Sequence, residues 1–154
     1  MTSLRLEGAD LCWRLPLCRP ELRRAITGMV AAARNAADIA PPIAPDAALE
    51  VVLARDDAVA GLNSRHMGCC GPTNILSFPN GKENGVIRDL GSLVLDVDAV
   101  RREALLYGQD PREHCLRLLA HGIAHLTGLD HGEAMDSLCQ RMLAAIPREA
   151  SRGG

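Results

Sequence analysis

Four short segments of the chain have the apolar pattern of strands. Residues 3–7 alternate between polar and apolar positions, the period of a strand whose side chains point to opposite faces in turn. Residues 49–54 and 74–78 are short apolar segments of extended character, and residues 87–97 contain another centred on Leu93-Val94-Leu95. The pattern therefore predicts a small sheet built from segments spread along most of the chain.

The first helix is predicted to begin at Arg19-Pro20-Glu21. Proline suits the first helical turn, and an acid there lies near the positive end of the helix dipole. The helix is predicted to end before Pro41-Pro42, and the loop from there through Pro45 to be rigid. Its apolar stripe has the three- and four-residue spacing of a helix face and contains Leu22, Ile26, Met29, Val30 and Ala33.

Two shorter helices are predicted in the middle of the chain. One runs from Asp56 towards His66. The other follows Asp96 or Asp98, either of which suits the N-cap, and it ends at Gly108. The residues of this second helix that are predicted to face the core are Val100, Ala104 and Leu105.

The clearest predicted boundary is the start of the next helix. Asp110-Pro111-Arg112-Glu113 combines a capping acid, a proline at the first helical position and a glutamate three residues after the cap. This helix is predicted to reach about Thr127, with Leu116, Leu119, Ala120 and Ile123 facing the core. A last helix is predicted over about 133–146. Mixed strands and helices indicate one α+β domain over residues 1–147, with 148–154 as a frayed tail.

Composition restricts the kinds of function. A net charge of −2 argues against a protein that binds nucleic acid through a broadly basic surface. No apolar run is as long as a membrane-spanning helix, and the N-terminus lacks the layout of a signal peptide. We therefore expect a cytoplasmic protein with no membrane partner. In a cytoplasmic protein we expect its six cysteines to be free thiols, and the absence of a C-x-x-C pair argues against a zinc site built from cysteines alone.

The strongest functional signal lies in residues 121–131, which contain three of the five histidines. His121 and His125 are four residues apart, so a helix places both imidazoles on one face. Gly128 suits a left-handed turn at the helix end, after which the chain can return and present His131. Three neutral imidazoles would hold one zinc ion and leave a coordination position open, as in catalytic zinc sites.

Other residues near this segment have more than one interpretation. The spacing is similar to that of metzincin proteases, but Gly122 replaces the glutamate that serves those enzymes as general base, so a peptidase is disfavoured. Gly122 itself is expected to permit close backbone packing.

Asp130 is a candidate for orienting a liganding histidine, for a catalytic base or for a helix cap, in that order. His114 lies two helical turns before His121, too far to bind the same ion, and is expected at the surface.

Three blocks of the sequence resemble the YbeY family of bacterial endoribonucleases. The first is the histidine segment, which fits H-G-x-x-H-L-x-G-x-D-H. The second is Gly71-Pro72-Thr73-Asn74-Ile75-Leu76-Ser77-Phe78-Pro79, which is similar to the family's P-T-N-V-L-S-F-P, and the third is Leu90-Gly91-Ser92-Leu93-Val94-Leu95. The blocks lie in the family's order, and the resemblance covers roughly residues 50 to 145.

The resemblance implies a four-stranded mixed sheet with about five helices and a metal-binding helix near the C-terminus. It also implies cleavage of single-stranded RNA, rRNA maturation at the 3′ end of small-subunit rRNA, ribosome quality control, and partners in the small ribosomal subunit or its assembly factors. Thr73, Asn74 and Ser77 become candidates for lining the cleft, with ordinary turn and strand hydrogen bonding as the alternative. Two other functions stay open: a metal-dependent hydrolase of a peptide or small molecule, and an assembly factor with a structural zinc.

The chain departs from the family pattern before the second block. The family usually has Leu-Asn, two variable residues, Tyr-Arg-Gly, a variable residue and an acid, whereas this chain has Leu62-Asn63-Ser64-Arg65-His66-Met67-Gly68-Cys69-Cys70-Gly71. Met67 therefore takes the arginine position, Cys70 the acidic one, and Ser92 replaces an acid in the third block. A thioether cannot replace the charged fork of arginine. Arg65 is the candidate to replace it.

Overall fold

Four strands form one mixed sheet in the computed structural model, which describes residues 2–67 and 74–147, with the backbone alone for 65–67. The order in space is β1-β2-β4-β3, in which β1, β2 and β4 are parallel and β3 is antiparallel to β4. This arrangement confirms the predicted α+β class with a small mixed sheet. The strands are β1 (Ser3–Glu7), β2 (Ile43–Ala54), β3 (Ile75–Pro79) and β4 (Ile87–Asp96).

Among the described residues, five α-helices accompany the sheet, and a short 3-10 helix, Ala9–Arg14, follows β1. The α-helices are α1 (Arg19–Arg34), α2 (Asp56–Met67), α3 (Val97–Tyr107), α4 (Pro111–Leu126) and α5 (Glu133–Ala144). Helix α4 contacts β3, β4, α1, α3 and α5, so it lies at the centre of the fold. In the part of the chain that the structure describes, no helix is long and apolar enough to span a membrane.

The apolar stripes form the core as predicted. Leu22, Ile26, Met29, Val30 and Ala33 of α1 are all fully buried, and so are Leu119 and Ile123 of α4. The start of α4 also follows its sequence signal, since Asp110 Oδ2 accepts a hydrogen bond from the Glu113 N–H at 3.0 Å and Pro111 is the first helical residue. Burial on both sides of α4 holds this helix rigidly where the histidines lie.

Two predictions about local structure are wrong. Pro45 lies within β2 rather than in a loop, at a register shift between Ile43 and Ala48 where the ladder with β4 is irregular. A strand tolerates proline at such a bulge because no ladder hydrogen bond is lost there. Leu105 is 84% exposed, whereas Val100 and Ala104 are buried as predicted. Leu105 instead forms an exposed apolar surface with its neighbours Leu106 and Tyr107.

Asp96 is a buried carboxyl group where β4 passes into α3. Its Oδ1 accepts hydrogen bonds from the N–H groups of Asp98 and Ala99 at 3.0 and 3.1 Å, so Asp96 rather than Asp98 caps α3. Its Oδ2 is buried and has no donor among the described residues, while a carboxylate oxygen of Asp56 lies within 4.8 Å. Burial, and then the neighbouring Asp56, raise the pKa of Asp96 to about 7.

We expect this carboxyl group to make stability depend on pH near neutrality. Because the folded pKa lies above the ordinary value of 3.8, its contribution is complete below about pH 3.8 and is lost progressively as pH rises to about 7. Asp96→Asn keeps the capping oxygen and adds an N–H donor beside Asp56. Its free energy of unfolding should exceed that of the wild type by about 1–3 kcal/mol at about pH 8, the usual cost of an unpaired buried polar atom.

Chemical denaturation of the wild type and Asp96→Asn at about pH 6 and pH 8 measures the difference between their free energies of unfolding. Titration of Asp96 near its raised pKa should make this difference larger at about pH 8. Asp96→Ala is the control, since it also removes the cap of α3 and should be less stable at both pH values. If Asp96→Asn retains the pH dependence of the wild type, Asp96 does not carry the proton.

Candidate metal centre

The C-terminal end of α4 turns the chain back towards its own histidines. Thr127 is the C-cap, and its hydroxyl donates to the Ala124 carbonyl at 2.6 Å. Gly128 follows with a φ of 91°, a left-handed conformation that strains any residue with a Cβ. The loop from Gly128 then brings His131 beside the helix, as the sequence predicted.

Three imidazole rings converge at this turn. The Nε2 atoms of His121 and His125 lie 3.1 Å apart, and the ring centre of His131 is 5.2 and 5.1 Å from those of His121 and His125. One ring nitrogen from each histidine lies within 4.8 Å of the others. Two nitrogens bonded to one tetrahedral zinc at 2.0–2.1 Å are about 3.4 Å apart. The three histidines are therefore arranged as a group that could hold one metal ion.

The surroundings of this group favour the neutral form of His121. His121 and His125 are half-buried, and His131 is exposed. Burial lowers the pKa of His121, and positive charge on His125 or His131 would lower it further. A lowered pKa favours the neutral imidazole, which is the form that donates a lone pair to a metal. The exposed side of the group remains open to a substrate.

A cleft of about 450 Å³ opens directly onto two of the histidines. One wall is β3 and the residue before it, and the other is the end of α4 and the turn after it. This places the described part of the second resembling block, residues 74–79, against the first, although about 40 residues separate them in sequence. The lining residues are Asn74, Ile75, Leu76, Ser77, Pro79, His121, His125, Gly128, Leu129 and Asp130.

Gly122 explains why α4 packs so closely on the sheet. A Cβ at this position would lie 2.7 Å from Ile75 Cδ1 in β3 and 2.9 Å from Leu93 Cδ2 in β4. Ser77 Oγ also donates to the Gly122 carbonyl at 3.4 Å. The expected close backbone packing is therefore present. The sheet occupies the space that a side chain such as the protease glutamate would need at this position.

Asn74 is held by a polar group that the sequence did not reveal. Its Nδ2 donates to Glu103 at 3.2 and 3.4 Å, and His114 Nε2 lies 2.9 Å from the same carboxylate. His114 is 7% exposed, so the prediction that it lies at the surface is wrong. Burial is tolerated because Glu103 supplies a charged hydrogen-bond partner. Asn74 and Ser77 thus line the cleft and also make the structural hydrogen bonds that were the alternative.

The remaining candidates differ in position. Asp130 is exposed at the edge of the cleft, and α5 has Gly132 as its N-cap with no side-chain hydrogen bond, so Asp130 does not cap that helix. Ser92 donates to Glu50 Oε1 at 3.1 Å and lines a different cavity, with Arg5 and Asp89. Thr73, Cys69 and Cys70 lie outside the described residues, as do the side chains of Arg65 and Met67 and the tail 148–154.

Fold and site together define an α+β protein with a candidate three-histidine metal centre in a cleft. The family model described as "Endoribonuclease YbeY" matches residues 16–145, which extends the resemblance to the first helix. The chain therefore belongs to the endoribonuclease YbeY family.

Relatives agree with this placement, and a solved structure agrees with the fold. The chain is 44% identical to the endoribonuclease YbeY of Nitratidesulfovibrio vulgaris over 86% of this chain and 89% of that protein. It is 40% identical to that of Lawsonia intracellularis over 90% and 92% of the two chains. The solution structure of TM1509 from Thermotoga maritima has a TM-score of 0.57 at 21% identity, covering 95% of this chain and 89% of that one. This last similarity concerns the fold alone.

Proposed function

We propose that this protein is a zinc-dependent endoribonuclease that cleaves single-stranded RNA. The observation that carries the proposal is the convergence of His121, His125 and His131 at one end of an open cleft. Membership in the endoribonuclease YbeY family supports RNA as the substrate. The proposal treats residues 1–147 as one functional domain, since the cleft is formed by segments from the middle and the end of the chain.

Zinc fits the residues at this centre. Three imidazoles are a usual ligand set for catalytic zinc, and the spacing of the His121 and His125 nitrogens is close to that of two ligands of one ion. Zinc held by these three residues would supply Lewis acidity towards a phosphoryl oxygen or water. Family membership alone names no cofactor, so the choice of zinc rests on the donor set.

The residues around the centre suit distinct tasks in holding RNA. The cleft has a volume of about 450 Å³, and its wall of Asn74, Ile75 and Ser77 is contributed by β3 and the residue before it. Asp130 is the nearest carboxylate on the cleft, and we assign it either to orienting a liganding histidine or to accepting a proton. Thr73 precedes Asn74 and joins this group as a substrate-cleft candidate.

We extend the proposal to the cellular role that the family resemblance implies. The substrate would be rRNA, chiefly the 3′ end of small-subunit rRNA, and the protein would also act in ribosome quality control. Its partners would then be the small ribosomal subunit or its assembly factors, in the cytoplasm. With a net charge of −2, RNA binding would rest on particular residues of the cleft rather than on a broadly basic surface.

Metal removal tests the activity itself. Labelled single-stranded and duplex RNA are incubated with zinc-loaded protein, with chelator-treated protein, and with treated protein to which zinc has been restored. We expect cleavage of the single strand in the first and third samples, and little cleavage of the duplex. Equal cleavage by the chelator-treated sample would indicate a contaminating nuclease and would contradict the proposal.

Arg65 is our proposed replacement for the arginine that the family has at the position of Met67. Both residues belong to α2, whose C-terminal end leads towards the second resembling block. On a regular helix, residues two positions apart lie on different faces, so the replacement requires local distortion of the helix end. The competing function, an assembly factor with weak or no nuclease activity, is favoured by the same substitution.

RNA cleavage by wild type, Arg65→Ala and Met67→Arg at matched zinc content separates these possibilities. If Arg65 contacts phosphate, Arg65→Ala should lose about 1.5–3 kcal/mol of transition-state stabilisation, the usual value of a charged hydrogen bond. Met67→Arg should then gain little. Wild-type cleavage rates in Arg65→Ala would rule out the replacement.

A further inference from the structure

Glu103 connects three elements of the fold beside the cleft. It belongs to α3, and its half-buried carboxylate accepts from Asn74 Nδ2 at 3.2 and 3.4 Å and lies 2.9 Å from His114 Nε2 on α4. An ionised carboxylate can only accept hydrogen bonds, so the amide NH₂ group of Asn74 and an N–H of His114 must face it. Glu103 therefore determines which end of the Asn74 amide points towards α3.

This contact leaves the other end of the amide available. The backbone carbonyl of Asn74 already accepts from the Asp96 N–H at 2.9 Å, so the residue is fixed at its main chain as well. Its amide oxygen has no donor among the described residues and is not one of their buried unpaired atoms. Asn74 lines the cleft together with His121 and His125. The free group at this wall is consequently a hydrogen-bond acceptor.

We propose that Glu103 is a positioning residue that makes Asn74 present its amide oxygen to bound RNA, where the oxygen accepts a hydrogen bond from a nucleotide. This inference rests on the proposed function. The donor is either the ribose 2′-hydroxyl, which every ribonucleotide carries and DNA lacks, or an exocyclic amino group of a base. The first source gives a preference for RNA over DNA, and the second gives a preference among bases.

A double-mutant cycle tests whether Glu103 acts through Asn74. The variants are Glu103→Ala, Asn74→Ala and the double variant, all zinc-loaded, and stopped-flow fluorescence anisotropy measures the Kd for a labelled single-stranded RNA of mixed sequence before the RNA is cleaved. Each single change should raise the Kd about five- to tenfold, the effect of one hydrogen bond. The double variant should bind no more weakly than Asn74→Ala. Additive losses, or wild-type binding by Glu103→Ala, would overturn the inference.

Two further variants separate positioning from a structural effect. Glu103→Gln keeps the volume of the side chain but can donate as well as accept hydrogen bonds, so it no longer fixes the orientation of the Asn74 amide. We expect it to raise log Kd for RNA by about half as much as Glu103→Ala does. Arg101→Ala is the control on the same helix, since Arg101 is exposed and lines a separate groove beside Trp13. It should bind RNA like the wild type. If Arg101→Ala weakened RNA binding as much as Glu103→Ala, the positioning role of Glu103 would be contradicted. A fall in zinc content that parallels the loss of RNA binding in the Glu103 variants would contradict it as well.

Two further ligands identify the donor. DNA of the same sequence lacks the 2′-hydroxyl, and oligouridylate lacks exocyclic amino groups. If the variants weaken oligouridylate binding and leave DNA binding unchanged, the donor is the ribose. If they weaken mixed RNA and DNA but not oligouridylate, it is a base. Wild-type protein that binds RNA without cleaving it contradicts the proposed function only, whereas wild-type protein that binds no RNA overturns both.

Discussion

Alanine at His121, His125 or His131 is expected to abolish stoichiometric zinc binding. Each variant removes one of three ligands, and two imidazoles hold zinc far more weakly than three. Changes around a metal site that leave its ligands intact already cost 10- to 100-fold in affinity, so we expect a loss of more than about 100-fold here. Metal analysis after dialysis at equal protein concentration gives the zinc content of each variant.

His114→Gln is the matched control because His114 lies on the same helix and outside the group of three. It should keep one zinc per chain, as the wild type does. Full zinc content in His131→Ala would contradict the three-ligand site, and loss of zinc in His114→Gln would show that the measurement reports general damage to α4.

Gly122→Glu, which restores the glutamate of the metzincin pattern, is expected to destabilise the protein strongly rather than create a protease. Gly122 is buried against Ile75 and Leu93, so the new carboxylate would be forced between two apolar side chains without a partner. Substitutions that bury an unpaired charge belong to the group that costs about 4 kcal/mol or more. That is a large part of the roughly 5–15 kcal/mol that stabilises a typical domain.

Gly28→Glu provides the comparison, since Gly28 is also inside a helix but a Cβ at its position would meet no atom within 4 Å. It should be tolerated, and glutamate is the better helix former by roughly 0.5–1 kcal/mol. Thermal and chemical denaturation of the two variants measures the difference. Wild-type stability in Gly122→Glu would mean that α4 can move away from the sheet.

Local signals in the sequence are sufficient to predict the helix that carries the candidate metal centre. Asp110 and Pro111 determine where α4 begins, and the four-residue spacing of His121 and His125 determines which way both rings face. Gly128 predicts the turn that returns His131. Each of these features depends on residues within one helix and its flanking turns, which is why sequence alone indicates them.

Contacts between distant segments are not predictable in the same way. Asn74 and Glu103 are 29 residues apart, and only the pairing of β3 with β4 and the packing of α3 beside α4 brings them together. The burial of His114 escapes prediction because its neighbours in sequence do not reveal a carboxylate on another helix. The exposure of Leu105 escapes it for a related reason, since an apolar residue at helical spacing does not by itself specify a neighbouring element.

Cleavage of single-stranded RNA by wild type and His125→Ala is the measurement that tests the central claim most directly. Both proteins are purified identically, supplied with zinc, and compared under single-turnover conditions with folding verified by circular dichroism. Charge stabilisation by a metal is worth several kcal/mol, so we expect His125→Ala to cleave at least about 1,000-fold more slowly. A correctly folded His125→Ala that cleaves RNA at the wild-type rate would contradict the assignment of the three-histidine centre as the site of cleavage.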